Sequence, residues 1–449
     1  MPGKLVKTAR RRTSLAAALA GLVLTAALAT GQTPADPVEN PSADAPDDLK
    51  LEVRRLVRQL DADQLVARDE AEKTLIALGP AILPLLPRPN NRTTEEVKHR
   101  LARIRQKVEQ DAAERASKAT TVTLQAKEMP LSFVLAAVEQ QTGNKLSFGD
   151  GQDQQLNESP VTLNLDNAEF WPALDQALDQ ASLTVYHYSQ QPALVLRPKA
   201  TNQRPRYGPA SYSGPFRVEA LQARALRDLR SPTNRNLRLQ LEIAWEPRLL
   251  PIAMTLSLND VRAEDEHGNQ LPTSGQGTVL PVEVNAGTTA VELEIPFDLP
   301  PRSATKIAKL TGTIHALVPG RVETFRFDNI EAADQTEQRQ GGVTVILDRV
   351  MENNELWDVR MRVRYDQATG ALESHRGWVY RNPRYIVNAE GERLEDWADE
   401  LTGQTDTEIG FAFAFDLPGG PKGMSFVYET PAVILRMPIE FELKDIDLP

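Results

Sequence analysis

The spacing of apolar positions changes twice along the chain. From Asp47 to about Lys118 they recur at helical steps: Leu49, Val53, Leu56, Val57 and Leu60 share one face, and Leu65, Leu75 and Leu78 continue a second helix that Gly79-Pro80 stops. A short apolar element, Ala81 to Leu86, ends at Pro87. Thr93-Thr94-Glu95-Glu96 then offers N-cap chemistry to a helix carrying Val97, Leu101, Ile104 and Val108. That stripe suits an intramolecular core or a coiled-coil partner, and the core is the simpler assignment.

Between Thr120 and Lys199 strands alternate with helices. Val122-Thr123-Leu124 reads as a strand, Pro130 opens a helix with Leu131, Val134, Leu135 and Val138 inward, and Gly143 closes it. The same grammar returns 39 positions on: Val161-Thr162-Leu163, then Phe170, Trp171, Leu174 and Leu178. Strands near Lys145–Phe148, Thr184–Tyr188 and Ala193–Arg197 complete a small α+β sheet. From Ser213 onward strict alternation takes over, as in Leu237, Leu239, Leu241, Ile243 and Trp245, or Trp357, Val359, Met361, Val363 and Tyr365. This half repeats itself: Phe297-Asp298-Leu299-Pro300 recurs as Phe415-Asp416-Leu417-Pro418, 118 positions on, and "EDEHGNQLP" matches "VNAEGERLE" at about 123. The endings "ETFRFDNI" and "IEFELKDI" align at a shift of 116.

The expected fold class is therefore multidomain α+β: a short helical segment (47–118), a small βα-repeat α+β domain (119–200), a linker (201–212), and two tandem antiparallel β-sandwich domains (213–334 and 340–449) joined by the polar link Glu331–Gln340.

Two stretches resemble known families. "DADQLVARDEAEKTLIALGPAILPLL" followed by "EEVKHRLARI" resembles a HEAT-like helical repeat over about one and a half units, where a stack needs about three to stand alone; the resemblance implies that this segment leans on a neighbour. "VTLQAKEMPLSFVLAAVEQQTGNKLSF", "VTLNLDNAEFWPALDQALDQASLTVY" and "ALVLRP" resemble the short N-terminal domain shared by secretins and TonB-dependent receptors. The resemblance implies an envelope adaptor that touches partner proteins and carries no catalytic residues. No pore domain, TonB box or barrel accompanies it, so secretion and receptor functions do not follow.

Composition narrows the chemistry. Among 449 residues there is no cysteine, which removes disulfides, thiolate metal sites and cysteine nucleophiles together. Lys4, Lys7, Arg10, Arg11 and Arg12 precede an uncharged Ala/Leu-rich run, so residues 1–29 read as a signal peptide for export to the periplasm, the envelope or the medium. The Arg11-Arg12 pair leaves the twin-arginine route open beside the general one, and an uncleaved anchor is the alternative to cleavage. Residues 30–46 read as an acidic, proline-rich tether. Losing the five leader charges moves the formal net charge from −11 to −16. Such a field repels nucleic acid and anionic lipid, no compact Lys/Arg block offsets it, and no later segment is apolar enough to span a bilayer.

Histidines are scattered. His99, His187, His267, His315 and His375 have no second histidine at ligand spacing, and no hydrolase or phosphate-loop motif occurs. Asp348/Glu352 and Asp396/Asp399/Glu400 are available acids that acidic loop faces explain, and Asp150–Glu158 lacks the ordered ligands of a calcium loop. Trp378 and Tyr380, on one side of an expected strand, and Trp397 form the candidate ligand or partner surface, against the simpler reading that a strand tryptophan is core. The row Arg360, Arg362 and Arg364 could grip an anionic polymer or pair across strands. No catalytic residue, metal or cofactor is expected. The reading is an exported, non-catalytic envelope protein acting as a protein–protein interaction or scaffolding module, through envelope proteins or self-association. An extracytoplasmic carbohydrate-binding or hydrolytic protein using the β half is the alternative.

Overall fold

The computed structural model describes residues 46–449 apart from 88–89, 91, 150–157, 190, 192, 201–209, 232, 286, 366–376 and 406. The expected signal peptide, nearly all of the tether, His375 and most of the 150–158 loop lie outside the described residues. Of the described residues 48% are strand against 23% helix, in several antiparallel sheets that do not close into a barrel. No described helix is long and apolar enough to cross a membrane.

Helices α1 (Asp47–Gln59), α2 (Leu65–Ala77) and α3 (Glu95–Ala116) enclose one small core with the 3-10 turn Pro80–Leu85. Val97, Leu101, Ile104 and Val108 are all buried in it, against Val53, Leu56, Leu60, Leu75 and Ile82. Thr94 stands at the N-cap of α3, yet its hydroxyl donates to Asp61 instead of capping the helix.

The next module comprises β1 (Thr121–Pro130), α4 (Leu131–Thr142), β2 (Leu146–Phe148), β3 (Pro160–Glu169), α5 (Phe170–Gln180), β4 (Leu183–Tyr186) and β5 (Leu194–Pro198). β1 pairs antiparallel with β3, while β5 lies between β2 and β4. Contacts recur 39 residues apart. The side-chain amide of Gln141 bonds both backbone groups of Thr123, and Gln180 does the same to Thr162. The Leu131 amide donates to Ser159 and that of Phe170 to Thr120. Glu128 and Asn167 share positive φ angles of 48° and 49°.

The β half begins with β6 (Ser211–Ser213), which takes Ser211 and Tyr212 out of the expected linker, followed by β7 (Phe216–Arg227), β8 (Arg235–Trp245), β9 (Ala253–Ser257), β10 (Arg262–Asp265), β11 (Val279–Glu283), β12 (Ala290–Phe297) and β13 (Lys306–Asp328). Then come β14 (Thr336–Gln340), β15 (Val343–Asn353), β16 (Leu356–Tyr365), the one-turn helix α6 (Gly377–Tyr380), β17 (Arg384–Val387), β18 (Arg393–Leu394), β19 (Ala398–Gln404), β20 (Glu408–Phe415) and β21 (Ser425–Asp447). Half of the expected polar link is thus edge strand β14, paired to β15. A four-stranded sheet, β12-β8-β7-β6, and a five-stranded sheet, β14-β15-β16-β20-β19, each face a seven-stranded sheet centred on β13 and β21. The β10 and β17 turns match 123 residues apart: Asp265 accepts from the amides of His267 and Asn269, and Asn388 from those of Glu390 and Glu392.

β13 and β21 pair along their whole lengths, from Lys306 opposite Asp447 to Asp328 opposite Ser425. Each strand serves two cores. Ile307, Leu310 and Ile314 fill the core under β8 and β12, whereas Phe325 and Phe327 fill the core under β16 and β20. β21 crosses in the opposite sense, with Phe426 and Tyr428 in the second core and Ile439, Phe441, Leu443 and Ile446 in the first. The segment 340–449 therefore does not keep its core to itself, and a cut between 334 and 340 would remove one wall of the first core. Helix α3 lies on this ribbon where Gly320 has no side chain; a Cβ there would sit 2.6 Å from that of Ala113.

Candidate functional site

The aromatic candidates do not form one surface. Trp378 and Tyr380 lie on α6, not on a strand, because Trp378 and Val379 both turn into the core and Pro383 ends the turn. Trp378 is 5% exposed and meets Tyr365 edge to face at 5.4 Å, while half-buried Tyr380 meets Phe411 at 5.3 Å. Trp397, at 74% exposure, stands in solvent beside edge strand β19. Of the three, Trp397 alone offers its ring to a partner.

Trp378 does line an apolar groove of about 380 Å³ between the two β cores, with Trp245, Leu250, Val284, Val322 and Pro431. Arg381 lies at the groove and donates to the Val284 carbonyl; the one carboxylate there, Glu429, accepts from Tyr385. Among the described residues the Trp378 indole N–H has no partner. An aliphatic group would fit, but the paired acids needed to cleave a glycoside do not converge here. Glu352 instead lines a second groove with Glu331, Glu355, Trp357 and Asp416, while Asp348 is held bidentately by Arg362, so these two available acids do not share a site. Asp396 and Asp399 both clamp Arg384. Arg362 pairs with Asp348 and Glu408 of the adjacent strands and Arg364 with Glu408, reaching Glu337 of β14 as well, while the Arg360 Nε has no partner among the described residues. His267 neighbours Asp265 and Glu266, but both carboxylates are occupied by local hydrogen bonds; those from Thr305 hold Glu266 down at about 2.

The densest polar constellation lies where the 119–200 module meets the β half, and residue patterning gave no sign of it. Arg217 on β7 is fully enclosed, with Nη1 2.9 Å from Asp175 of α5 and Nη2 2.9 Å from Glu219. Its guanidinium stacks 4.6 Å from the Trp171 ring, whose N–H donates to the Pro215 carbonyl. Glu242 approaches Arg217 at 3.6 Å and His187 at 3.5 Å, and His187 Nδ1 lies 2.8 Å from the Thr289 hydroxyl. Burial lowers His187 well below its usual range, with the Arg217 charge acting the same way, and burial raises Glu242 to about 7 against the pull of Arg217. A second knot completes the junction. Fully buried Glu246 accepts from the Thr120 amide and hydroxyl and from Asn144, and also holds Arg248, which reaches the carbonyls of Ala116 and Lys118. In both knots the acids are held by cations and donors of the chain itself, although the buried Arg217 Nε has no partner among the described residues; such pairing ties the two modules together.

Two outward features escaped the sequence reading. Phe133, on α4 but off its apolar stripe, is 66% exposed; an aromatic between the inward positions 131 and 134 was the signal for it. The outer end of the β7–β8 hairpin carries Arg224, Arg227, Arg230 and Arg235 with Asp228 as its one acid, while Arg238 further along β8 pairs with Glu294, so a compact basic block does exist in this acidic chain.

No family model matches the chain, and no curated protein matches it significantly.

Proposed function

We propose that the chain is an exported, non-catalytic envelope protein that works as a protein–protein interaction or scaffolding module, with the 119–200 module as its adaptor. In this reading residues 47–118 are a HEAT-like segment leaning on the β ribbon, and residues 213–449 are two β-sandwich copies fused through β13 and β21. One observation carries it. The adaptor module is tied to the β half through Glu246 and Arg217 on one side, while Phe133 on α4 stays in solvent. A fixed base and a free aromatic suit a partner surface, and the buried ionisable groups at the junction are spent on that fixation.

The carbohydrate reading asks for several aromatics around one groove, and Trp378 and Tyr380 are committed to the second core. Titration of the chain with envelope polysaccharides, followed by tryptophan fluorescence, is the test. The proposal expects no saturable change; saturable quenching that Trp397→Ala abolishes would replace it with glycan binding.

A further inference from the structure

At one end of the four-stranded sheet, the β7–β8 hairpin, the last half of β7 with the turn that follows it, is exposed from Leu221 to Arg235 among its described residues, with only Ala223 and Asp228 half-buried. Leu226 is 50% and Leu229 89% exposed, and both lie between arginines. The lone acid of the turn is spent on its shape: Asp228 accepts from the amides of Arg230 and Ser231 and from the Asn234 side chain. The arginines are thereby left as the charge that the turn presents. Beside it, Leu226, Arg227, Leu237, Leu299 and Arg302 line a groove of about 360 Å³.

We propose that this turn is a docking arm for an anionic phospholipid surface. Alternating arginine and leucine matches an interface in which guanidinium groups meet phosphates while short apolar side chains enter the acyl boundary. A nucleic acid would use the charge but leave Leu229 unpartnered, and the turn has no aromatic on which a base could stack. The negative charge of the whole chain does not forbid contact, because charges more than about 8 Å from the docked surface are screened at physiological salt. The inference does not rest on the adaptor reading.

The test is flotation of the exported form, residues 30–449, with phosphatidylcholine vesicles, with and without phosphatidylglycerol. Binding should require phosphatidylglycerol and weaken with added salt. At about fivefold per arginine, Arg224→Gln/Arg227→Gln/Arg230→Gln should reduce partitioning about 100-fold, and Leu229→Asp should reduce it as well. These side chains are exposed, so circular dichroism should report an unchanged fold, and parent and variants all begin at residue 30, because the cationic and apolar leader would bind vesicles by itself. Equal binding to neutral vesicles, or variants that bind as the parent does, would overturn the proposal. Duplex DNA bound with the same arginine dependence, together with no effect of Leu229→Asp on vesicles, would overturn it in favour of a general polyanion surface.

Discussion

Arg217 Nη1 lies 2.9 Å from Asp175 Oδ1, joining β7 to α5 with both groups out of reach of water. Burial alone would favour the neutral guanidine, but Glu219, Asp175 and Glu242 outweigh it and hold Arg217 above the usual arginine range. Removing the cation leaves three buried carboxylates around a void. Arg217→Ala should destabilise the protein by about 3–5 kcal/mol in urea unfolding, and exchange protection in α5 should fall first. A loss below about 1 kcal/mol would mean that the knot is hydrated and does not tie the modules.

The same knot sets a pH dependence. Glu242 is raised from its ordinary value of 4.5 to about 7, so its contribution is fully present below about pH 4.5 and is lost as pH rises through 7. At 1.36 kcal/mol per unit, the loss is on the order of 3 kcal/mol. Glu242→Gln should flatten the stability curve between pH 5 and about 8. His187 acts in the opposite sense: its depressed pKa makes the folded state bind fewer protons, so stability falls as pH drops below about 6.5. His187→Gln should remove that acid limb, and parallel curves for variant and parent would contradict the assignment.

Gly320 is the point where α3 approaches the ribbon. Gly320→Ala would drive a methyl group to 2.6 Å from the Ala113 Cβ, costing about 1–3 kcal/mol by overpacking. Ala113→Gly in the same chain should restore most of the loss. Absence of that coupling in a double-mutant cycle would show that the helical segment does not bear on the ribbon at this point.

The last residues of the chain complete the first core. Phe441 lies over Gly312 and is 3% exposed, so Phe441→Ala should cost about 3–5 kcal/mol. Truncation after Met437 should abolish exchange protection in β8 and β12, far away in sequence but in the same core. Retained protection there would show that the first core forms without residues 438–449.

The α3 stripe and the two βα units were legible because the inward residues keep their period and turns carry Gly or Pro. The ribbon was not legible: Gly312, Pro319 and Gly320 in β13, and Pro431 and Pro438 in β21, break two 23-residue strands into what reads as separate strands and turns. Trp378 and Tyr380 alternate like strand residues, and nothing local shows that four residues coil. Arg217 looks from sequence like Arg238, on an outward position of the same sheet, but α5 covers one and solvent the other. Burial of a charge is decided by which module lies on top, and that is a tertiary fact.

The adaptor role is tested most directly by placing a photo-crosslinking residue at position 133 of the tagged chain in cells and identifying what is captured. The account predicts one reproducible envelope protein joined through Phe133 on α4, and no such product when the crosslinker stands at exposed Trp397. Capture of no protein but further copies of this chain, or equal capture from both positions, would contradict it.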